Sequence, residues 1–165
     1  MTIMLPTEIT DRATQIIALY SKAGLMAATA ESCTGGLIIG SLTEISGSSS
    51  VVDRGFVTYS NEAKNELIGV DMAMIIEHGA VSPEVARAMA EGALARSRAD
   101  AAVSVTGVAG PGGGTLEKPV GLVFMGGARK GRDTIVQKHI FPGDRSAVRQ
   151  ATVLVALAMF ETLAQ

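Results

Sequence analysis

Met26-Ala27-Ala28-Thr29-Ala30-Glu31-Ser32-Cys33-Thr34-Gly35-Gly36-Leu37-Ile38-Ile39 is an apolar run that breaks at small hydroxyl residues and two glycines, then resumes with helical spacing. The pattern predicts a strand that delivers Ser32 to the start of a helix. A serine there is well placed as a nucleophile. Free N–H groups of the following turn can stabilise negative charge beside its hydroxyl, and the glycines let a substrate approach the backbone closely.

Upstream, Ile9, Ala13, Ile16, Ile17 and Tyr20 form a helical stripe over residues 7–23, with Gly24 as the stop. Downstream, the Ser32 turn feeds a helix to about residue 45. A Gly47-Ser48-Ser49-Ser50 loop leads to a β-branched strand over 51–59. Residues 61–67 read as helix, Asp71 caps a short helix ending before Gly79, and Ser82-Pro83-Glu84 opens one that runs to about 97. Residues 101–106 read as a buried strand. Residues 120–128 and 134–140 pair across the turn Lys130-Gly131-Arg132-Asp133, and residues 151–164 form a buried C-terminal helix. This alternation predicts an α/β domain with helices covering a largely parallel or mixed sheet.

With 165 residues, 47% of them hydrophobic, a single domain over 1–165 is expected. Fourteen Lys and Arg against sixteen Asp and Glu leave a formal net charge of -2 without a basic run, which argues against binding to nucleic acid. Residues 1–10 carry Glu8 and lack a basic start followed by an apolar stretch, so no secretory signal is expected. No run of roughly 18 apolar residues suggests a membrane span. The one cysteine, Cys33, cannot form an internal disulfide, which suits the cytoplasm. Two separated histidines and one cysteine make no ligand cluster, so neither a metal nor another cofactor is expected.

A serine hydroxyl needs a base. His78 and His139 read as a helix-end and a sheet-surface residue, and Glu31-Ser32-Cys33 lacks the Gly-x-Ser-x-Gly elbow. The segment Thr58-Tyr59-Ser60-Asn61-Glu62-Ala63-Lys64 offers another source. A lysine partly removed from water can act as a base, and a neighbouring tyrosine can relay or stabilise the proton. The same residues also fit a solvated Lys64 paired with Glu62 or Glu66, and the sequence alone leaves both readings open. Thr106-Gly107-Val108-Ala109-Gly110-Pro111-Gly112-Gly113-Gly114-Thr115 follows a buried strand, where open α/β sheets bind ligands. It is neither a Walker A loop nor a Gly-x-Gly-x-x-Gly dinucleotide turn.

Ala30-Glu31-Ser32-Cys33-Thr34-Gly35-Gly36, Tyr59-Ser60-Asn61-Glu62-Ala63-Lys64, Gly79-Ala80-Val81-Ser82 and Thr106-Gly107-Val108-Ala109-Gly110-Pro111-Gly112-Gly113 occur in the order that resembles the CinA C-terminal domain family. Its standalone members include nicotinamide-nucleotide amidohydrolases. The resemblance runs from about Thr7 to the C-terminal helix. It implies a three-layer α/β/α sandwich with a mixed, mostly parallel sheet, and hydrolysis of the carboxamide of nicotinamide mononucleotide to the acid and ammonia. Carried over by position, Ser32 is the nucleophile, Lys64 its base and Tyr59 a third member of the proton network. The N–H groups near Thr34, Gly35 and Gly36 would hold the oxyanion, and Thr106 and Gly107 would line the nucleotide pocket.

A phosphorylated substrate needs positive charge. Arg145, at the start of the last helix, is the first phosphate candidate and Arg149, one turn on, the second; a surface ion pair with Asp144 is the other reading of Arg145. Cys33 is read as a small apolar residue. A Ser-Tyr-Lys oxidoreductase is disfavoured because Tyr59 and Lys64 have one residue too many between them. A non-catalytic nucleotide-binding or sensing domain is the alternative function. A symmetric homo-dimer is the expected assembly.

Overall fold

The computed structural model describes residues 4–165, so the first three residues of the stretch read above as lacking a secretory signal lie outside the described ones. The elements are α1 Thr7–Ala23, β1 Ala27–Glu31, α2 Leu37–Thr43, β2 Val52–Val57, α3 Asn61–Ile68, α4 Met72–His78, α5 Pro83–Ala95, β3 Ala101–Gly107, β4 Leu122–Arg129, β5 Ile135–Ile140 and α6 Arg145–Ala164, with a short 3-10 turn at Ser48–Ser50. The five strands form one sheet in the order β2-β1-β3-β4-β5. β1 pairs in parallel with β2 and β3, and β4 pairs antiparallel with β3 and β5, so four of the five strands run the same way.

The two-residue period of β1 and β3 divides the core. Ala27, Val103 and Val105 face α1, α2 and α6, among Ile16, Tyr20, Ile38, Leu42 and Phe160. Ala28, Ala30 and Ala102 face the other layer, with Ile68, Val85 and Met89. Every residue of β1 is buried, as expected for a strand with parallel neighbours and helices on both faces. The helices pack closely on β4, where a Cβ on Gly126 would stand 2.5 Å from Ala86 O. α1 and α6 are joined where the Tyr20 hydroxyl donates to Phe160 O at 2.7 Å and the two rings meet edge to face at 5.7 Å.

The expected elements all form, with shifted ends. The helix after Ser32 begins only at Leu37 and stops at Thr43, leaving a turn over 32–36, and β2 ends at Val57, so Thr58 and Tyr59 leave the ladder. α6 is long and apolar enough to cross a membrane by length and composition. Its residues Val148, Val153, Leu157 and Phe160 are nevertheless buried in the core, the expected place for this helix.

Candidate active site

Because β1, β2 and β3 run in one direction, their C-terminal ends share one edge of the sheet. The chain leaves β1 for β2 on one side and returns as β3 on the other, which opens a crevice at that edge. Ser32 follows β1, Thr58 and Tyr59 follow β2, and Thr106 and Gly107 end β3. A cavity of about 220 Å³ opens among Ser32, Tyr59, Lys64, Thr106, Gly107 and Arg145.

Ser60 caps α3, its hydroxyl accepting from Ala63 N at 3.0 Å, and one turn later the helix turns Lys64 back toward β1. Lys64 is 1% exposed. Its Nζ lies 3.1 Å from Ser32 Oγ, 2.9 Å from Thr58 O and 3.3 Å from Tyr59 O. No carboxylate among the described residues forms an ion pair with it. The alternative of a solvated Lys64 paired with Glu62 or Glu66 is therefore overturned. Burial without a counter-ion pushes its pKa below the ordinary 10.5. A neutral amine has two N–H groups and one lone pair. Here Nζ donates to all three oxygens and the Ser32 hydroxyl turns to Tyr59 O at 3.5 Å; once the amine is neutral, one lone pair becomes free to accept the Ser32 proton.

The Ser32 turn is held from two sides. Glu31 is fully buried, and its period-2 position points its carboxylate at α2. One oxygen accepts from the Thr34 hydroxyl at 2.6 Å and Ile38 N at 2.8 Å; the other accepts from Ile39 N at 3.0 Å and the Thr29 hydroxyl at 3.2 Å. The Ile38 and Ile39 amides of the first turn of α2 are thus spent on Glu31, and the Leu37 amide donates to Thr34 O at 3.1 Å. On the other side, Arg149 donates from Nε to Cys33 O at 3.1 Å and from a terminal nitrogen to Thr34 O at 3.3 Å. Gly35, at φ +59, and Gly36, at φ +101, make the turn in a backbone region that L side chains rarely adopt.

Of the three expected oxyanion donors, the Gly35 N–H is committed to Ser32 O at 3.1 Å. Among the described residues, the N–H groups of Cys33, Thr34 and Gly36 make no hydrogen bond to another residue. Tyr59 is 62% exposed and lines the cavity; it meets Lys64 through its carbonyl rather than its phenol. Thr106 is anchored to Ala80 O at 2.8 Å, beside Gly107. Arg145 lines the cavity and donates to Gly110 O at 2.9 Å, which ties the glycine-rich loop to α6. Arg149 does not line this cavity. Cys33 is buried and desolvation pushes its thiol pKa up to about 11, in keeping with a packing role.

Sequence reasoning missed Glu31. The available signal was an ionisable residue ending a strand of otherwise small residues, which is tolerated only where several donors converge. Asn61, which also lines the cavity, was given no role either. No group of three or more His, Cys, Asp or Glu able to hold a metal occurs among the described residues.

Residues 9–164 match the family described as the CinA C-terminal domain. The chain is 50% identical over 143 residues to nicotinamide-nucleotide amidohydrolase PncC of Enterobacter agglomerans, covering 87% of each protein. It is 46% identical over 154 residues to the protein of that name from Escherichia coli K12, covering 93% of each. It superposes on the crystal structure of the competence/damage inducible protein CihA of Agrobacterium tumefaciens with a TM-score of 0.97 and 50% identity, over 99% of this chain and 100% of that one. The chain spans about a third of the length of other curated relatives that it matches at 49–53% identity. With the same fold throughout and a family match over nearly its whole length, the chain belongs to the CinA C-terminal domain family.

Proposed function

We propose that this protein is a nicotinamide-nucleotide amidohydrolase, converting nicotinamide mononucleotide and water to nicotinate mononucleotide and ammonia. The observation that carries the reading is the buried amine of Lys64, 3.1 Å from the Ser32 hydroxyl at the wall of an open cavity. The two PncC proteins, similar along nearly their whole length, support the substrate assignment.

Ser32 Oγ attacks the carboxamide carbon as its proton passes to Lys64 Nζ. The oxyanion that forms is held by the Cys33 and Thr34 N–H groups, neither of which donates to another residue. Collapse of the intermediate breaks the C–N bond, and Lys64 returns the proton to the departing nitrogen, which leaves as ammonia. Water then attacks the acyl ester, gives a proton to Lys64, and Ser32 recovers it as the acid leaves. Tyr59 joins the proton network through its carbonyl, which fixes the amine. Its exposed ring is placed to stack on a cationic pyridinium. Arg145 is positioned for the phosphate, with Thr106 and Gly107 shaping the nucleotide side of the cavity. The working form is a cytoplasmic homo-dimer.

Ammonia release from the mononucleotide, measured for the wild type and for Ser32→Ala and Lys64→Ala, tests the reading. Both variants are expected to be inactive with unchanged circular dichroism. Full activity in either removes that residue from its role, and tight binding by the wild type without ammonia release replaces the enzyme with a nucleotide sensor.

A further inference from the structure

We infer that Arg149 is a positioning residue for the oxyanion donors: its charge is transmitted through two peptide chains to the Cys33 and Thr34 N–H groups. The inference rests on the reading of Ser32 as a nucleophile, and it moves Arg149 from a phosphate ligand to a part of the catalytic apparatus.

Two routes lead from the guanidinium. Arg149 Nε donates to Cys33 O at 3.1 Å, and that carbonyl shares its peptide group with the Thr34 N–H. The second nitrogen donates to Thr34 O at 3.3 Å, whose peptide group carries the Gly35 N–H. Gly35 N–H donates in turn to Ser32 O at 3.1 Å, and the Ser32 carbonyl shares its peptide group with the Cys33 N–H. Each route therefore ends on an N–H that donates to no other residue. Withdrawing electrons at a carbonyl oxygen makes the N–H of the same peptide a better donor, and hydrogen-bonded amides pass this polarisation along.

The surroundings fit such a role. Cys33 and Thr34 are buried residues whose N–H groups donate to no other residue, so both stay available to an atom that gains negative charge beside Ser32. The guanidinium lies against the turn: its terminal nitrogen is 3.7 Å from where a Cβ on Gly35 would stand, an ordinary contact distance. Arg149 lines a separate small cavity with Leu37 and Val153 and is not among the residues that line the cavity at Ser32. A side chain so placed touches the substrate only through the backbone it orients.

The test uses Arg149→Gln and the charge-preserving Arg149→Lys, with two readouts. The first is the rate at which a fluorophosphonate labels Ser32. In that reaction a Ser32 O–P bond forms, the P–F bond breaks, fluoride leaves and the serine proton goes to Lys64, while the phosphoryl oxygen occupies the oxyanion position. The second is kcat and KM for nicotinamide mononucleotide and for the riboside that lacks its phosphate. The inference expects labelling and kcat to fall about tenfold in Arg149→Gln and less in Arg149→Lys, with KM unchanged within about twofold for both substrates. Labelling at the wild-type rate overturns it, as does a KM increase confined to the phosphorylated substrate. A wild type that labels at Ser32 but releases no ammonia defeats the proposed function alone, and the labelling rates then decide the role of Arg149. If Arg149→Gln fails to fold, the labelling rate of Arg149→Lys at an unchanged Tm decides it.

Discussion

Lys64 Nζ and Ser32 Oγ, separated by 32 residues in the chain, lie 3.1 Å apart because two parallel strands end at the same edge of the sheet and a capped helix returns from the second to the first. The amine is the buried end of this pair, and its environment lowers its proton affinity. The proposed chemistry and its pH response both rest on that contact.

The acid limb of kcat/KM is predicted to report the neutralisation of Lys64 and to sit below the ordinary lysine value of 10.5, since desolvation disfavours the ammonium. Activity therefore rises as pH increases through the lowered pKa and levels off before 10.5 is reached. Lys64→Arg is expected to be inactive throughout, because a guanidinium does not deprotonate. A midpoint at or above 10.5 would contradict the desolvated-base assignment.

Stability carries the same sign. The unfolded chain binds the Lys64 proton more tightly than the folded one, so between the folded value and 10.5 the native state gains stability as pH rises; below the folded value the full cost of burying the charge remains. Urea denaturation of the wild type beside Lys64→Met, from neutral pH to about 10, is expected to shift in favour of the wild type.

Glu31→Gln replaces one acceptor oxygen with an NH2 group facing backbone or hydroxyl donors. A loss of about 1–3 kcal/mol is expected by chemical denaturation, together with a fall in kcat, because the turn that carries Ser32 loosens. Wild-type stability in this variant would show that the carboxylate does not organise the turn.

Arg145→Ala is predicted to raise KM for the mononucleotide by about tenfold while leaving the dephosphorylated riboside unaffected, as removal of a charged phosphate contact requires. Steady-state kinetics on the two substrates separate this from a loosened loop, which would weaken both.

Cys33→Ser is expected to retain turnover, and the thiol should react only slowly with alkylating reagents near neutral pH, since it is buried and its pKa is pushed up to about 11. Rapid alkylation that abolished ammonia release would give the Cys33 thiol, rather than its N–H alone, a part in the reaction.

Much of the architecture was legible along the chain. Apolar spacing, the Ser82-Pro83 opening and the glycine stops identify each helix and strand, because those signals act over one or two turns. Less visible was the length of the turn after Ser32. Its backbone depends on where the Glu31 carboxylate finds its donors, four side-chain and amide groups spread over Thr29, Thr34, Ile38 and Ile39.

Sequence by itself determined the layered α/β domain and the residue types fit for catalysis, because hydrophobic period, caps and turn residues are local properties of the chain. Tertiary structure alone decided that Lys64 is desolvated and aimed at Ser32, that Tyr59 contributes its carbonyl to that amine, and that Arg149 braces the Ser32 turn. The physical reason is that protonation and hydrogen bonding depend on burial and on partners brought together by strand order, and neither is written in the spacing of neighbouring residues.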